Sequence, residues 1–253
     1  MPYAAISSRC AHAVRPARTA DAFATSTDTP TPWTPRHPDR HPDAFDRESD
    51  MTTARDLLIV SMDVMPAGHP VEQGDLSLAL AGAELLDLAD LFALTLEGDR
   101  IVPGPAPSGL ADRQLTEAAA ALVRQSPYES VEDWLWRRGR GLYAAYLTAL
   151  ETDGGVTREH HRWLPLRTGR AAAADSPDRR AAMERWASGE PVLAGLGVAA
   201  RLRDEAPEDL AARAGDTAVT VVTAVDDAVT ELAAVRQRRS IEDAAFDNIW
   251  RGQ

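Results

Sequence analysis

Three arginines, Arg137, Arg138 and Arg140, follow Trp134-Leu135-Trp136, and two more, Arg158 and Arg162, come after a Gly154-Gly155 break. Arg162 leads straight into Trp163-Leu164-Pro165-Leu166. A guanidinium keeps its charge at physiological pH and forks onto phosphate or carboxylate in two-point geometry. Cations beside a short apolar arm are what a peripheral membrane contact uses, the charges on head-groups and the ring and aliphatics at the acyl boundary. From Arg137 to Arg185 there are ten Arg and six acids, a local balance of +4 in a chain of net charge −12, so the rest carries −16. Each Arg close to an anionic surface contributes about 1 kcal/mol, screened within a Debye length. Such binding is weak and reversible unless Trp163, Leu164 and Leu166 insert or several copies act together. The plainer alternative is that these Arg solvate helix faces and pair with acids, while Trp163 packs on the body.

Reaction chemistry finds less support. His160 and His161 are adjacent, so on a strand they point to opposite faces and share no metal. Cys10, His12, His37 and His41 match no ligand spacing, and a single cysteine excludes an intramolecular disulfide or a multi-Cys zinc site. His-Glu-x-x-His, Gly-x-Ser-x-Gly and a phosphate-cradling Gly loop are all missing. Gly195-Leu196-Gly197 is half a dinucleotide fingerprint inside a helical pattern, which reads as packing. Asp204-Glu205 and Asp226-Asp227 diverge on a helix surface. The expectation is a non-enzyme with no metal and no cofactor.

The elements that would position these residues follow from pattern. Residues 1–50 hold seven prolines and no apolar period, which reads as a disordered arm without a secretory h-region. Met51 opens a different texture. Asp56-Leu57-Leu58-Ile59-Val60 is apolar, and Leu76 to Leu91 reads as a helix apolar nearly all round, hence central, with Asp75 able to cap it. Leu94 to Val102 around Gly98-Asp99 reads as a β-hairpin, and Val156 to Arg167 as a second, its return strand confined to an edge by Pro165. Helices are expected over about 111–124, 131–150, 177–187, 191–204, 208–214 and 217–239, the second ended by Gly154-Gly155, and a docking turn from Ser240 onward. The predicted fold is mainly α, a compact helical domain around a central apolar helix with one or two projecting β-hairpins. Its domains are an arm over 1–50, a body over 51–240 and a tail over 241–253.

In order, several segments resemble the Golgi phosphoprotein 3 family. They are the Leu57-Leu58 opening, the Leu-rich helix running into Leu94-Thr95-Leu96-Glu97, Leu115-Thr116-Glu117-Ala118, and Ser130-Val131-Glu132-Asp133-Trp134. Gly155-Val156, Trp163-Leu164-Pro165-Leu166 with Arg167-Thr168, and Pro191 to Leu196 complete the series. The likeness is to bacterial members over roughly residues 54–235. All 27 basic residues are Arg, which points to GC-rich coding and an actinobacterial source.

The resemblance implies a helical domain with projecting hairpins. Eukaryotic members bind phosphatidylinositol 4-phosphate on membranes and engage cytoplasmic tails of glycosyltransferases. The family holds its head-group with a Trp and an Arg around the start of the Leu-rich helix and two basic residues on the helix before Gly-Val. Those positions fall on Glu72, Ala81, Gly141 and Ala144, and none retains the chemistry. The reading is a non-enzymatic, cytoplasmic peripheral membrane or adaptor protein at the inner face of the membrane. Its lipid head-group candidates are Arg137, Arg138, Arg140, Arg158 and Arg162, and its membrane-contacting hairpin is Trp163, Leu164 and Leu166. Partners are a phosphoinositide or other anionic lipid, and other proteins. A winged-helix DNA-binding regulator is the alternative from another class, disfavoured by the net charge of −12, and a soluble protein-interaction scaffold is a third.

Overall fold

The computed structural model describes residues 52–64, 71–158, 171–205 and 210–251. Helix α1 (Thr53–Asp63) starts where Thr52 accepts a hydrogen bond from the Arg55 amide, and Asp87 accepts from the amides of Thr53 and Ala54 at 3.0 and 3.2 Å. Two of the free donors at the helix start are thereby satisfied from a neighbouring helix. That neighbour is α2 (Gln73–Asp90), buried from Asp75 through Leu86 and again at Leu88. Its N-cap is Glu72, which makes no side-chain capping bond; Asp75 lies in the first turn instead and accepts from Arg236 at 2.7 Å. The expected Asp75 cap is corrected accordingly: its carboxylate is drawn to a guanidinium rather than to the free amides.

A hairpin follows, β1 (Leu94–Glu97) with β2 (Arg100–Pro103), antiparallel with Glu97 opposite Arg100 across the Gly98-Asp99 turn. Next come α3 (Arg113–Ala121), α4 (Val131–Arg138) and α5 (Leu142–Thr152). The single helix expected over 131–150 is two. Gly139 passes so close to α2 that an added Cβ would lie 3.3 Å from the Ser77 carbonyl oxygen, and Gly141 takes φ 72° as the N-cap of α5. Glycine alone suits both demands. Gly154, at φ 74°, ends α5, and the Gly155 amide donates back to the Leu150 carbonyl at 2.8 Å.

Strand β3 (Val156–Arg158) pairs antiparallel with β4 (Ala171–Ala173), Val156 opposite Ala173. The described partner of β3 thus lies beyond Arg167, where the expected hairpin ended. Ala171 to Ala173 offer three backbone donors, whereas Pro165 has none. Arg162, Trp163, Leu164 and Leu166 lie outside the described residues, as does the arm.

Helices α6 (Pro177–Ala187) and α7 (Pro191–Ala199) precede α8 (Leu210–Arg251), which breaks at Gly215 (φ 78°, ψ 176°) and then runs on through the expected docking turn. Gly197 on α7 serves packing, since the Trp186 ring lies 2.5 Å from where its Cβ would be. Helix α2 touches α1, α3, α4, α5, α7 and α8, so the chain is mainly α around a central apolar helix. No helix among the described residues is long and apolar enough to cross a membrane.

Candidate functional site

The corner where α4 turns into α5 lies against the first turns of α2. Gly139 sits beside Ser77, and the Tyr143 amide donates to the Ser77 hydroxyl at 3.2 Å. Three residues back along α2, Gly74 leaves room for Arg236 of α8, whose Nη2 would be 2.5 Å from a Cβ there. The start of α5 thus lies against the second turn of α2, and neither Glu72 nor Gly141 caps its own helix with a side chain. Helix starts carry partial positive charge, opposed at α2 by the carboxylates of Glu72 and Asp75, while at α5 the cation Arg140 directly precedes the Gly141 N-cap.

The arginines of this region have different fates. Arg137 holds Glu129 through Nε and Nη2, both at 2.7 Å, donates to the Ala121 carbonyl at 3.1 Å and lies over the Trp134 ring at 5.1 Å. Arg138, next along α4, points inward: Nε and Nη2 each reach Glu84 at 2.8 Å, and Nη2 also reaches the Gln114 carbonyl. Arg140 is exposed and makes no hydrogen bond or ion pair among the described residues. Arg158 belongs to β3, and Arg162 lies outside the described residues. Arg179 and Arg185 are held by Asp63 and by Asp56 with Glu190. The +4 of the 137–185 stretch is largely offset in space by Asp56, Asp63, Glu84, Glu129 and Glu190, all outside the stretch or at its border.

The positions carried over from the resemblance are placed as follows. Glu72 and Gly141 are the two N-caps of the corner. Ala81 is fully buried, its carbonyl accepting from the Trp134 indole at 3.0 Å, so no ligand reaches its side chain. Ala144 lines an open groove of about 850 Å³ with Ala145, Thr148, Asp112 and Glu117. Charged groups along that groove pair with one another, Arg55 with Asp153 and Arg113 with Glu117, each at 2.9 Å. No group of three or more metal-binding side chains occurs among the described residues.

Two residues escaped sequence reasoning. Arg236 continues the inward stripe of Val225, Val229 and Leu232, and a cation on an apolar face signals a partner across it. Glu84 was the stronger signal, an acid inside the buried run from Leu76 to Leu86 of a helix apolar nearly all round. It is fully buried, and burial pushes its carboxyl up to about 7 against the opposing pull of Arg138 and the Tyr146 hydroxyl, which donates at 3.2 Å. Tyr146 is itself raised well above its ordinary value, by burial first and by the charge of Glu84 second.

Comparisons with curated proteins and with solved structures give no significant match. A family model, that of Golgi phosphoprotein 3, matches residues 54–243, from the first turn of α1 far into α8. The match takes in every element of the corner as well as the Trp134 anchor, and the chain belongs to the Golgi phosphoprotein 3 family.

Proposed function

We propose that the protein is a non-enzymatic peripheral adaptor that docks on anionic membranes through the corner where α2 and α5 begin. The carrying observation is Arg140, exposed and unpaired among the described residues, directly before the Gly141 start of α5. Family membership supports a lipid-facing role of this kind. Of the sequence candidates, Arg140 is the primary cation. Arg137 and Arg138 are engaged with Glu129 and Glu84 and contribute less at neutral pH. Arg158, Arg162 and the Trp163-Leu164-Leu166 arm supply the second contact. The proposed setting is the cytoplasm, peripheral at the inner face of the membrane. With Glu72, buried Ala81, Gly141 and Ala144 in place of a ring and basic groups, the lipid is recognised by charge, without tight selectivity for phosphatidylinositol 4-phosphate. The family assignment supports this reading over a winged-helix regulator.

Vesicle flotation tests this reading, using neutral, phosphatidylserine-containing and phosphatidylinositol 4-phosphate-containing vesicles at low and physiological salt. Binding should require negative charge, weaken with salt, and drop with Arg140→Glu. The insertion component, removed by Trp163→Ala, should be nearly indifferent to salt. Tight binding that follows the phosphoinositide and ignores both substitutions would sink the proposed site. Binding to no vesicle would favour a soluble protein-interaction scaffold.

A further inference from the structure

Behind the corner lies a buried acid that the docking reading does not use. Glu84 sits midway along α2, fully buried, and receives both Arg138 nitrogens at 2.8 Å and the Tyr146 hydroxyl at 3.2 Å. It joins α2 to the last residue of α4 and to the middle of α5, the two helices whose junction carries Arg140. We propose that protonation of Glu84 releases Arg138 to join Arg140 at the anion-facing corner, so that mild acid strengthens binding to anionic membranes. The inference rests on the anion-docking reading above and adds its regulation.

The geometry favours such a release. An ion pair this deep is held by its own Coulomb energy against a large desolvation cost, and losing either charge leaves the other buried and uncompensated. Arg138 is the final residue of α4, its side chain is 15% exposed, and Gly139 follows it. Part of its side chain already reaches solvent. Once Glu84 is neutral the ion pair is gone, and what still holds Arg138 is the Gln114 carbonyl bond at 3.2 Å, a hydrogen bond to an uncharged carboxyl and the attraction of Glu117.

The charges around the cluster are few. Arg138 from α4, Tyr146 from α5 and Asp112 at the start of α3 act on Glu84, and Asp112 raises it further. Glu117 of α3 acts on Arg138, and Asp87 of α2 on Tyr146. Helix α7 has no titratable side chain, Arg55 of α1 pairs with Asp153, and Asp226 of α8 pairs with Arg201. Burial dominates and holds the carboxyl at about 7, inside the range where a modest acidification changes its charge.

The sign of the stability linkage follows. Glu84 is raised from 4.5 to about 7, so the folded chain binds more protons than the unfolded chain between those values. Its contribution is greatest below that window and is lost as pH rises through it.

The experiment uses the full chain with phosphatidylcholine vesicles, with and without phosphatidylserine, at about pH 6 and about pH 8, on either side of the titration. Wild type should bind the anionic vesicles about fivefold more tightly at the lower pH, the factor one added Arg gives beside an anionic leaflet. Glu84→Gln should bind at both pH values as wild type does in acid, and Arg138→Gln at both as wild type does in base. A pH response that persists in either variant would place the proton elsewhere, the six histidines included, and overturn the proposal. Should Glu84→Gln fail to fold, Tyr146→Phe removes one donor to the carboxylate and should move the binding midpoint to higher pH; an unmoved midpoint counts against the cluster. Strong binding that is flat in pH overturns the switch alone. Binding to no vesicle at either pH overturns the docking reading and the switch with it.

Discussion

Trp134 should be the costliest single side chain to remove from the helical body. It is fully buried, its indole N–H donates to the Ala81 carbonyl at 3.0 Å inside the core, and Arg137 covers the ring from outside at 5.1 Å. Three helices depend on it, since α4 carries it, α2 accepts its hydrogen bond, and α8 packs against both. Truncating a buried Trp to Ala removes the transfer energy of the ring and leaves a cavity, together about 3–5 kcal/mol. For a domain of about 200 residues each kcal/mol lowers the midpoint by roughly 2–4 °C, so Trp134→Ala should melt about 10–15 °C below the parent. Trp134→Phe separates the terms. It keeps most of the apolar volume and loses the donor, for about 1–2 kcal/mol. Thermal unfolding followed by far-UV circular dichroism reads both variants. Trp134→Ala melting with the parent would mean that the ring is not part of the core. Equal losses in the two variants would mean that the hydrogen bond, rather than burial, carries the anchor.

Phe92 is 81% exposed and sits at φ 54° just after α2, a left-handed position that glycine fills without strain. Phe92→Gly should therefore raise stability by about 1 kcal/mol, and a lower midpoint would show that the ring makes a stabilising contact. Gly197→Ala should lower stability by about 1–2 kcal/mol after its helix-propensity gain, because the new methyl meets the Trp186 ring. The same substitution made together with Trp186→Ala should lose that penalty, and additive losses would rule out the steric explanation. A chain beginning at Thr52 should melt with the full-length protein, since α1 has its own cap in Thr52 and its own acceptor in Asp87. A markedly lower midpoint would give residues 1–51 a part in the fold.

Much of the architecture was legible in the sequence because it rests on local signals. The run from Leu76 to Leu88 announces a central helix by having almost no polar side, and Gly98-Asp99 announces its hairpin by turn chemistry. Ser176-Pro177 starts α6 where a hydroxyl cap and a proline in the first turn should. Three features were not legible, and each depends on an approach between distant segments. The break at Gly139 and Gly141 answers to Ser77, more than sixty residues earlier. The partner of β3 is a plain run of alanines, chosen by a ladder that composition does not reveal. The N-cap of α2 is Glu72 because Asp75 is held by Arg236 from the far end of the chain.

Charge was the feature most easily misread along the sequence, and the reason bears on the docking reading. Arg137, Arg138 and Arg140 look like one cluster when written in a row. On a helix, adjacent residues diverge by about 100°, and here the divergence sends Arg137 to Glu129 and Arg138 to Glu84, leaving only Arg140 facing water unpaired. On the docking proposal, the surface that attracts anions is what remains after internal pairing, which is the free Arg140 before the start of α5. The strength of such a surface is set by whatever competes for its arginines. Glu84 is the competitor that holds Arg138, and it is also a carboxylate whose charged form burial disfavours. On the docking proposal, the corner's affinity for an anionic membrane and the stability of the central helix are tied to one proton.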